Sequence, residues 1–553
     1  MLFDLALYTS LALLALGLAY KLGRWLTTSI GPESRNYTPA QRLSASLKGL
    51  ARALRGRSLG PMMAALVLDG LFQRRSLEHS RWAWAAHMLI FWGMMGLIFL
   101  HALGPVLIPS FTATLNPWLF LRNLFGVMLL AGAVMAMWRR LRLPGLRRTT
   151  HWADRAALGL LALLVLSGFA LEGAKIVSVH SFDSMIAEYG DLPEDNDRAA
   201  LGQVWRDHYG VAFPEGQVPA GLELMERGLE LHNDSCVDCH DNPQWAFASW
   251  PLSRLMAPMA GWLEAAHTAL WLYYLHFLAA FAALAILPFS KFLHLFTGPL
   301  LLMIRVAVPR EEMDPAARAL VRALELDVCT HCGACSVHCS VAEAVKHVPN
   351  LSVLPSEKLI ALGRLVRGKT DYGEMLDVMR QGAYMCTSCL RCTRLCPVGI
   401  NLQDLWFAMK DDLEEAGYGP TTRTVAKKAL ETAGPSRSVA PFKVSNGEFQ
   451  KDLGLSVQAD TFRNCYRCAT CSNSCPVVFS YEDPKKELDL LPHQIMHTLG
   501  LGLADEAMGA RMTWYCLTCY RCQEACPQGV KVADVLYELR NLAAARQEQG
   551  ESC

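Results

Sequence analysis

An all-α protein is expected here: a bundle of five transmembrane helices, a small external domain set into it, and two small helical cysteine-rich modules behind it. Three observations carry that expectation. Five apolar runs near bilayer length all fall before residue 310. After them, C-x-x-C-x-x-C-x-x-x-C occurs four times. Between the fourth and fifth apolar runs lies an acidic stretch containing C-V-D-C-H. The boundaries expected are 1–172 for the first four spans, 173–261 for the external domain and 262–310 for the fifth span with its exit helix. The modules take 325–415 and 461–548, and 416–460, with Gly419-Pro420 and Gly434-Pro435-Ser436, reads as a linker.

The first apolar run, 3–20, has its basic residues (Lys21, Arg24) behind it rather than in front, so it reads as a retained anchor and not as a cleaved signal. The others are 83–103, 119–138, 156–174 and 263–288; a piece at 61–72 is too short to cross. Lys21 to Arg81 holds eleven Lys or Arg against three acids, and Arg139 to Arg155 six against one, whereas 173–260 is rich in acids. The positive-inside tendency therefore places the two basic loops in the cytoplasm, and the N-terminus and the acidic loop outside. The cysteine-rich C-terminal part then falls on the cytoplasmic side of the inner membrane.

Composition excludes several classes. A formal charge of +1 gives no field for nucleic acid. Hydrophobic residues make up 52%, with the excess before residue 310, which points to membrane lipid as the surroundings. No Gly-rich dinucleotide loop, P-loop or G-x-S-x-G occurs. Substrate conversion is accordingly expected on another subunit.

Sixteen of nineteen cysteines form the four runs: Cys329, Cys332, Cys335, Cys339; Cys386, Cys389, Cys392, Cys396; Cys465, Cys468, Cys471, Cys475; and Cys516, Cys519, Cys522, Cys526. Three thiolates spaced by two residues wrap one [4Fe-4S] cluster, and the fourth reaches the neighbouring one. Zinc sites arrive instead as separated C-x-x-C pairs. Four [4Fe-4S] clusters follow, and cross-ligation assigns Cys329, Cys332, Cys335 and Cys396 to the first. Cys386, Cys389, Cys392 and Cys339 take the second, Cys465, Cys468, Cys471 and Cys526 the third, and Cys516, Cys519, Cys522 and Cys475 the fourth. Pro follows the last Cys in three runs, and Ser340 stands there in the first.

C-x-x-C-H is the attachment pattern for a c-type haem, with Cys236 and Cys239 as thioether donors and His240 as an axial ligand. The sixth ligand stays open among His208, His232, Met225, Met256 and Met259. Histidines inside spans are costly and mark function. His87 and His101 lie on the second span, His276 on the fifth and His294 just beyond it. Antiparallel spans set His87 against His294 and His101 against His276, two pairs for two haems b. The fourteen residues from His87 to His101 and the eighteen from His276 to His294 correspond to about 21 and 27 Å of helix. His267 is the alternative to His276 in the outer pair.

The stretch R-W-A-W-A-A-H-M-L-I-F-W-G-M-M-G-L (81–97) resembles the membrane cytochrome b of the nitrate-reductase gamma-subunit family, in its heterodisulfide-reductase-like and sulfur-metabolism branch. The resemblance implies five spans, an external N-terminus and two haems b on the second and fifth spans. The interval from His87 to His101 is longer than in nitrate-reductase gamma subunits, and the 173–260 insertion is not part of that pattern. W-Y-C-L-T-C-Y-R-C-Q-E-A-C-P-Q-G-V (514–530) and Y-M-C-T-S-C-L-R-C-T-R-L-C-P-V-G-I (384–400) resemble the ferredoxin-like part of the C-type subunit of heterodisulfide reductase, in tandem copy. The doubled-cysteine C-C-G motif of the catalytic subunit is missing, so a cytoplasmic partner carrying it is implied.

The reading expected is an electron-transfer subunit of a quinone-linked complex, relaying between menaquinone or ubiquinone, haem c, two haems b and the four clusters. The alternatives are a conduit from an external cytochrome c subunit without quinone chemistry, and a membrane redox sensor.

Overall fold

The computed structural model describes residues 2–56, 58–190, 196–342, 350–368, 372–419 and 459–548, with a few single positions between them. The linker expected at 416–460 falls for the most part outside these residues. Every element among the described residues is helical. The chain divides into two compact units, one of 1–25, 53–309 and 327–331, the other of 26–52, 310–326 and 332–553.

In the first unit five helices are long and apolar enough to cross a membrane: Leu2–Thr27, Arg81–Leu107, Trp118–Arg142, Trp152–Val177 and Thr268–Phe289. Helix is the natural outcome for such runs, since only an internally hydrogen-bonded backbone is tolerated in lipid. Ser80 caps the second span by accepting from the Ala83 amide at 3.3 Å. The third ends on Arg139, Arg140 and Arg142, which complement the helix dipole. The fifth begins later than the hydropathy suggested. His267, left-handed at φ 50°, separates the short helix Ala260–Ala265 from Thr268, so 263–267 is not part of the span.

The second and third spans pack backbone to backbone. A Cβ on Gly93 would stand 2.7 Å from the Leu129 amide, and one on Gly132 2.7 Å from the Ala86 carbonyl. Small residues at such crossings are the usual way helices close up where lipid supplies no hydrophobic drive. Beyond the fifth span, His294–Ala307 forms a helix that packs on the short apolar segment Leu59–Leu71.

Residues 173–260 build a small core of their own around Phe182, Leu201, Val204, Trp205, Leu231 and Cys236. Buried Asn123 of the third span fastens this insertion. Its Oδ1 accepts from the Ala248 and Ser249 amides at 3.1 and 3.2 Å, while its Nδ2 donates to Glu172 at 3.0 Å. Ser249 Oγ also donates to Glu172 at 2.6 Å, and Arg122 pairs with the same carboxylate.

In the second unit, the helices Pro355–Val366 and Leu402–Glu415 of one module correspond to Pro492–Gly500 and Val532–Glu548 of the other. The correspondence extends to hydrogen bonds. Ser336 Oγ meets Ser356 Oγ at 2.7 Å, and Ser472 Oγ meets His493 Nδ1 at 2.7 Å. Arg322 holds Asp404 in a fork at 2.8 and 2.7 Å, tying helix Pro315–Val328 to Leu402–Glu415. Burial pushes the Asp404 carboxyl up, but Arg322 and Arg310 outweigh it and hold it at about 2.

Candidate functional site

The four histidines come together as two pairs. The His87 and His294 rings lie 6.0 Å apart between centres, and His101 and His276 6.4 Å apart. Each Nδ1 is engaged by a neighbour: Gln73 Nε2 at 2.8 Å for His87, and the Leu97 carbonyl at 2.8 Å for His101. Ser167 Oγ at 3.0 Å serves His276, and the Lys291 carbonyl at 2.5 Å His294. Facing oxygen acceptors, His101, His276 and His294 hold their proton on Nδ1 and leave Nε2 open to a ligand, and His87 does the same once the Gln73 amide turns its oxygen toward the ring. His101 sits in a π-helical stretch, Phe99–Leu103, a local widening that recurs at functional sites. Gly168 lies against the His276 ring, where a Cβ would come within 3.1 Å of Cε1.

Near His294, Asp154 is buried and shared by several cations. Lys291 and Arg140 pair with it, and His331 Nδ1 approaches at 3.0 Å. His331 lies between Cys329 and Cys332, and its carbonyl accepts from Arg140 at 2.8 Å. Asp327, just before Cys329, bonds Lys21 and Trp25 at 2.8 Å each. Residues 327–331 thus belong to the helical bundle, and a short polar chain runs from His294 through Lys291 and Asp154 to His331. Sequence reasoning missed this chain. An acid near the start of a span is its one linear signal.

Cys236, Cys239 and His240 occupy one turn, with the Cys239 and His240 amides bonding the Cys236 carbonyl at 3.1 and 2.9 Å. The His240 ring stands edge-on to Trp205 at 5.3 Å. Thr114 of the loop after His101 donates to the Cys239 carbonyl, and its own carbonyl accepts from the Asp241 amide at 3.1 Å. Of the sixth-ligand candidates, His232 is buried with Nδ1 unpartnered, while its Nε2 bonds Tyr209 at 2.9 Å.

The cysteine runs share one backbone trace. In each, the third and fifth residues counted from the first Cys are left-handed: His331 and Gly333, Ser388 and Leu390, Arg467 and Ala469, Thr518 and Tyr520. Such reversals wind a peptide so that its amides line a concavity suited to an anionic group. Thiols from paired runs lie near one another. Cys339 is within electrostatic reach of Cys386 and Cys389, and Cys392 of Cys386, Cys339 and Cys389. Cys465, Cys468, Cys471 and Cys526 line one cavity, and Cys522 lies among Cys516, Cys475 and Cys519. Burial, then these neighbours, pushes Cys392 and Cys522 up to about 12 and Cys471 up as well. Bare thiolates there would be costly, so the donor set suits a cationic iron core.

Amides also reach sulfur. Ile400 donates to Cys396 and Val530 to Cys526, both at 3.3 Å. Ser340, where the other runs carry Pro, meets Cys389 Sγ at 3.3 Å and Thr387 Oγ1 at 3.1 Å. Bonds to ligand sulfur of this kind tune cluster potential.

A 4Fe-4S dicluster domain family matches residues 325–400 and 461–530. The chain is 41% identical over 98 residues to the C-type iron–sulfur subunit of the CoB–CoM heterodisulfide reductase of Methanopyrus kandleri, covering 18% of this chain and 45% of that protein. To the C-type subunit of the H(2):CoB-CoM heterodisulfide,ferredoxin reductase of Methanothermobacter thermautotrophicus it is 34% identical over 104 residues, 18% of this chain and 52% of the relative. To the E-type subunit of the dihydromethanophenazine:CoB–CoM heterodisulfide reductase of Methanosarcina thermophila it is 34% identical over 133 residues, 22% and 50%. The chain spans about half the length of the curated relatives it matches. No solved structure matches. The C-terminal part is thus homologous to the C-type iron–sulfur subunits of heterodisulfide reductases, and 4Fe-4S cluster binding follows from the dicluster match and the cysteine motifs.

Proposed function

We propose that this chain is the membrane electron-transfer subunit of a quinone-linked oxidoreductase complex. It relays electrons between menaquinone or ubiquinone and haem c on the outer side, two haems b in the bundle, and four [4Fe-4S] clusters in the cytoplasm. These pass them to or take them from a partner resembling the catalytic heterodisulfide reductase subunit.

One observation carries the membrane part, the spacing of the two histidine pairs. With a metal–nitrogen bond of about 2.0–2.1 Å and about 1.1 Å from nitrogen to ring centre, two imidazoles sharing one metal ion would stand about 6.3 Å apart. The separations of 6.0 and 6.4 Å fit that requirement, and the oxygen acceptors on Nδ1 of His101, His276 and His294 fix ring orientation as ligating histidines need. His87 and His294 would hold the inner haem b, His101 and His276 the outer one, and Cys236, Cys239 and His240 the haem c. The cysteine sets given above would hold the clusters. Haems and clusters supply one-electron transfer. The chain's task is to place them: His101 precedes the loop that clasps Cys239, and His294 starts the polar chain that ends at His331, between Cys329 and Cys332.

Pyridine haemochrome spectra of the purified chain test this, with about two b-type haems per c-type haem expected. His87→Ala should remove about half of the b-type signal and spare the c-type signal. A preparation without b-type haem overturns the reading. Reduction of the haems by a quinol analogue in isolated membranes supports the quinone route, and no response favours an external cytochrome as the sole donor.

A further inference from the structure

Among the described residues, Lys358 is 1% exposed, as deeply buried as the core leucines around it. It lies on Pro355–Val366, with its Nζ 5.0 Å over the ring of fully buried Trp406 and within electrostatic reach of Cys386, Cys339 and Cys392. A lysine is seldom held this deep without a task, because burying an ammonium costs several kcal/mol unless an anion compensates.

The second module supplies an internal control. Leu354-Pro355-Ser356-Glu357-Lys358 aligns with Leu491-Pro492-His493-Gln494-Ile495, and the serine contacts at Ser336 and Ser472 confirm the register. Counting from Cys396 and Cys526, Trp406 aligns with Leu536. Ile495 and Leu536 are as buried as their counterparts, at 0% and 1% exposed. One fold therefore accepts an apolar pair where the first module carries a cation on an indole.

We infer that Lys358 is a potential-setting residue: its positive charge, compensated by the anionic cluster beside it, raises the reduction potential of the cluster held by Cys339, Cys386, Cys389 and Cys392 above that of its counterpart in the second module. The inference rests on the cluster reading. Reduction adds one electron and no proton to an already anionic thiolate-ligated cluster, and a buried cation nearby favours the more negative state. Net charge and surroundings are the terms by which a protein sets such potentials. The second cluster then becomes the electron-accepting step of its module, and the two modules, alike in fold, differ in driving force.

The test is a redox titration of the whole detergent-solubilised chain, followed by electron paramagnetic resonance, with iron and acid-labile sulfide measured on the same samples. Lys358→Ile installs the residue that the sister module already carries, so the fold should tolerate it. One reduction wave should then fall by at least tenfold in its equilibrium constant, about 59 mV for one electron, while the other waves and the iron content stay unchanged. Lys358→Arg keeps the charge and should leave that wave near its original place. The inference is overturned if Lys358→Ile moves no wave at full iron content, or if Lys358→Arg shifts it as far. Loss of iron confined to Lys358→Ile also overturns it, because the lysine then serves assembly. Iron and sulfide below cluster stoichiometry in the unsubstituted chain would instead count against the cluster reading itself.

Discussion

Asp154 shows how much one carboxylate can hold together. Lys291, Arg140 and His331 all converge on it, and its side chain is 1% exposed. Removing one partner from a buried ionic cluster leaves the rest uncompensated, at a cost of about 3–5 kcal/mol. Asp154→Asn should lower the midpoint for thermal loss of haem absorbance in detergent; an unchanged midpoint would mean that the cations are stable without it. None of this stood out in the sequence, where Asp154 is a lone acid in a basic loop. His87, His101 and His276 stood out in the sequence because an ionisable residue within an apolar run is conspicuous by itself, and His294 because it closely follows one. Their partners did not, since Gln73, Ser167 and two backbone carbonyls reach the rings only after folding. Lys358 was equally hidden: along the chain it is one more lysine on an amphipathic helix.

At the scale of elements, the contact between the second and third spans sets where two of the four histidines stand. With Gly132 under the Ala86 carbonyl and Gly93 under Phe125 and Leu129, no side chain separates the two backbones next to His87. Gly132→Val should force the spans apart and lower b-type haem content, with the iron–sulfur signal intact. Retention of both haems would show that the crossing has slack. The five spans were readable from length and apolarity, and only the start of the fifth was misplaced. Its hydropathy continues back through Trp262 and Leu263, but the left-handed turn at His267 interrupts the helix, and a turn formed by a non-glycine residue leaves no mark in composition. The four cysteine runs were the most legible feature of all, because ligand spacing is local. Their paired left-handed residues include leucine, tyrosine and threonine, which no propensity argument would have chosen.

For the whole molecule, sidedness is the property on which the proposed relay depends. The basic loops and the acidic insertion predict that Cys236 and Cys239 face outside and that the four runs face the cytoplasm. In right-side-out vesicles, a protease that cannot cross the membrane should cut within 173–260 and leave the C-terminal modules whole. Digestion of the modules first would reverse the orientation and put cluster assembly in the wrong compartment. The dicluster family covers the cysteine-rich modules, so the haem reading of the bundle rests on its own geometry.

The wound backbone of the cysteine runs bears on how the protein ages. Seven non-glycine residues there are left-handed, each at a cost of about 1–2 kcal/mol. Iron–sulfur bonding offsets that cost while it lasts. A module stripped by oxygen is then a loaded spring: the loops relax, the thiols drift out of register, and reloading must first rewind the peptide. Damage to these centres should therefore be slow to reverse.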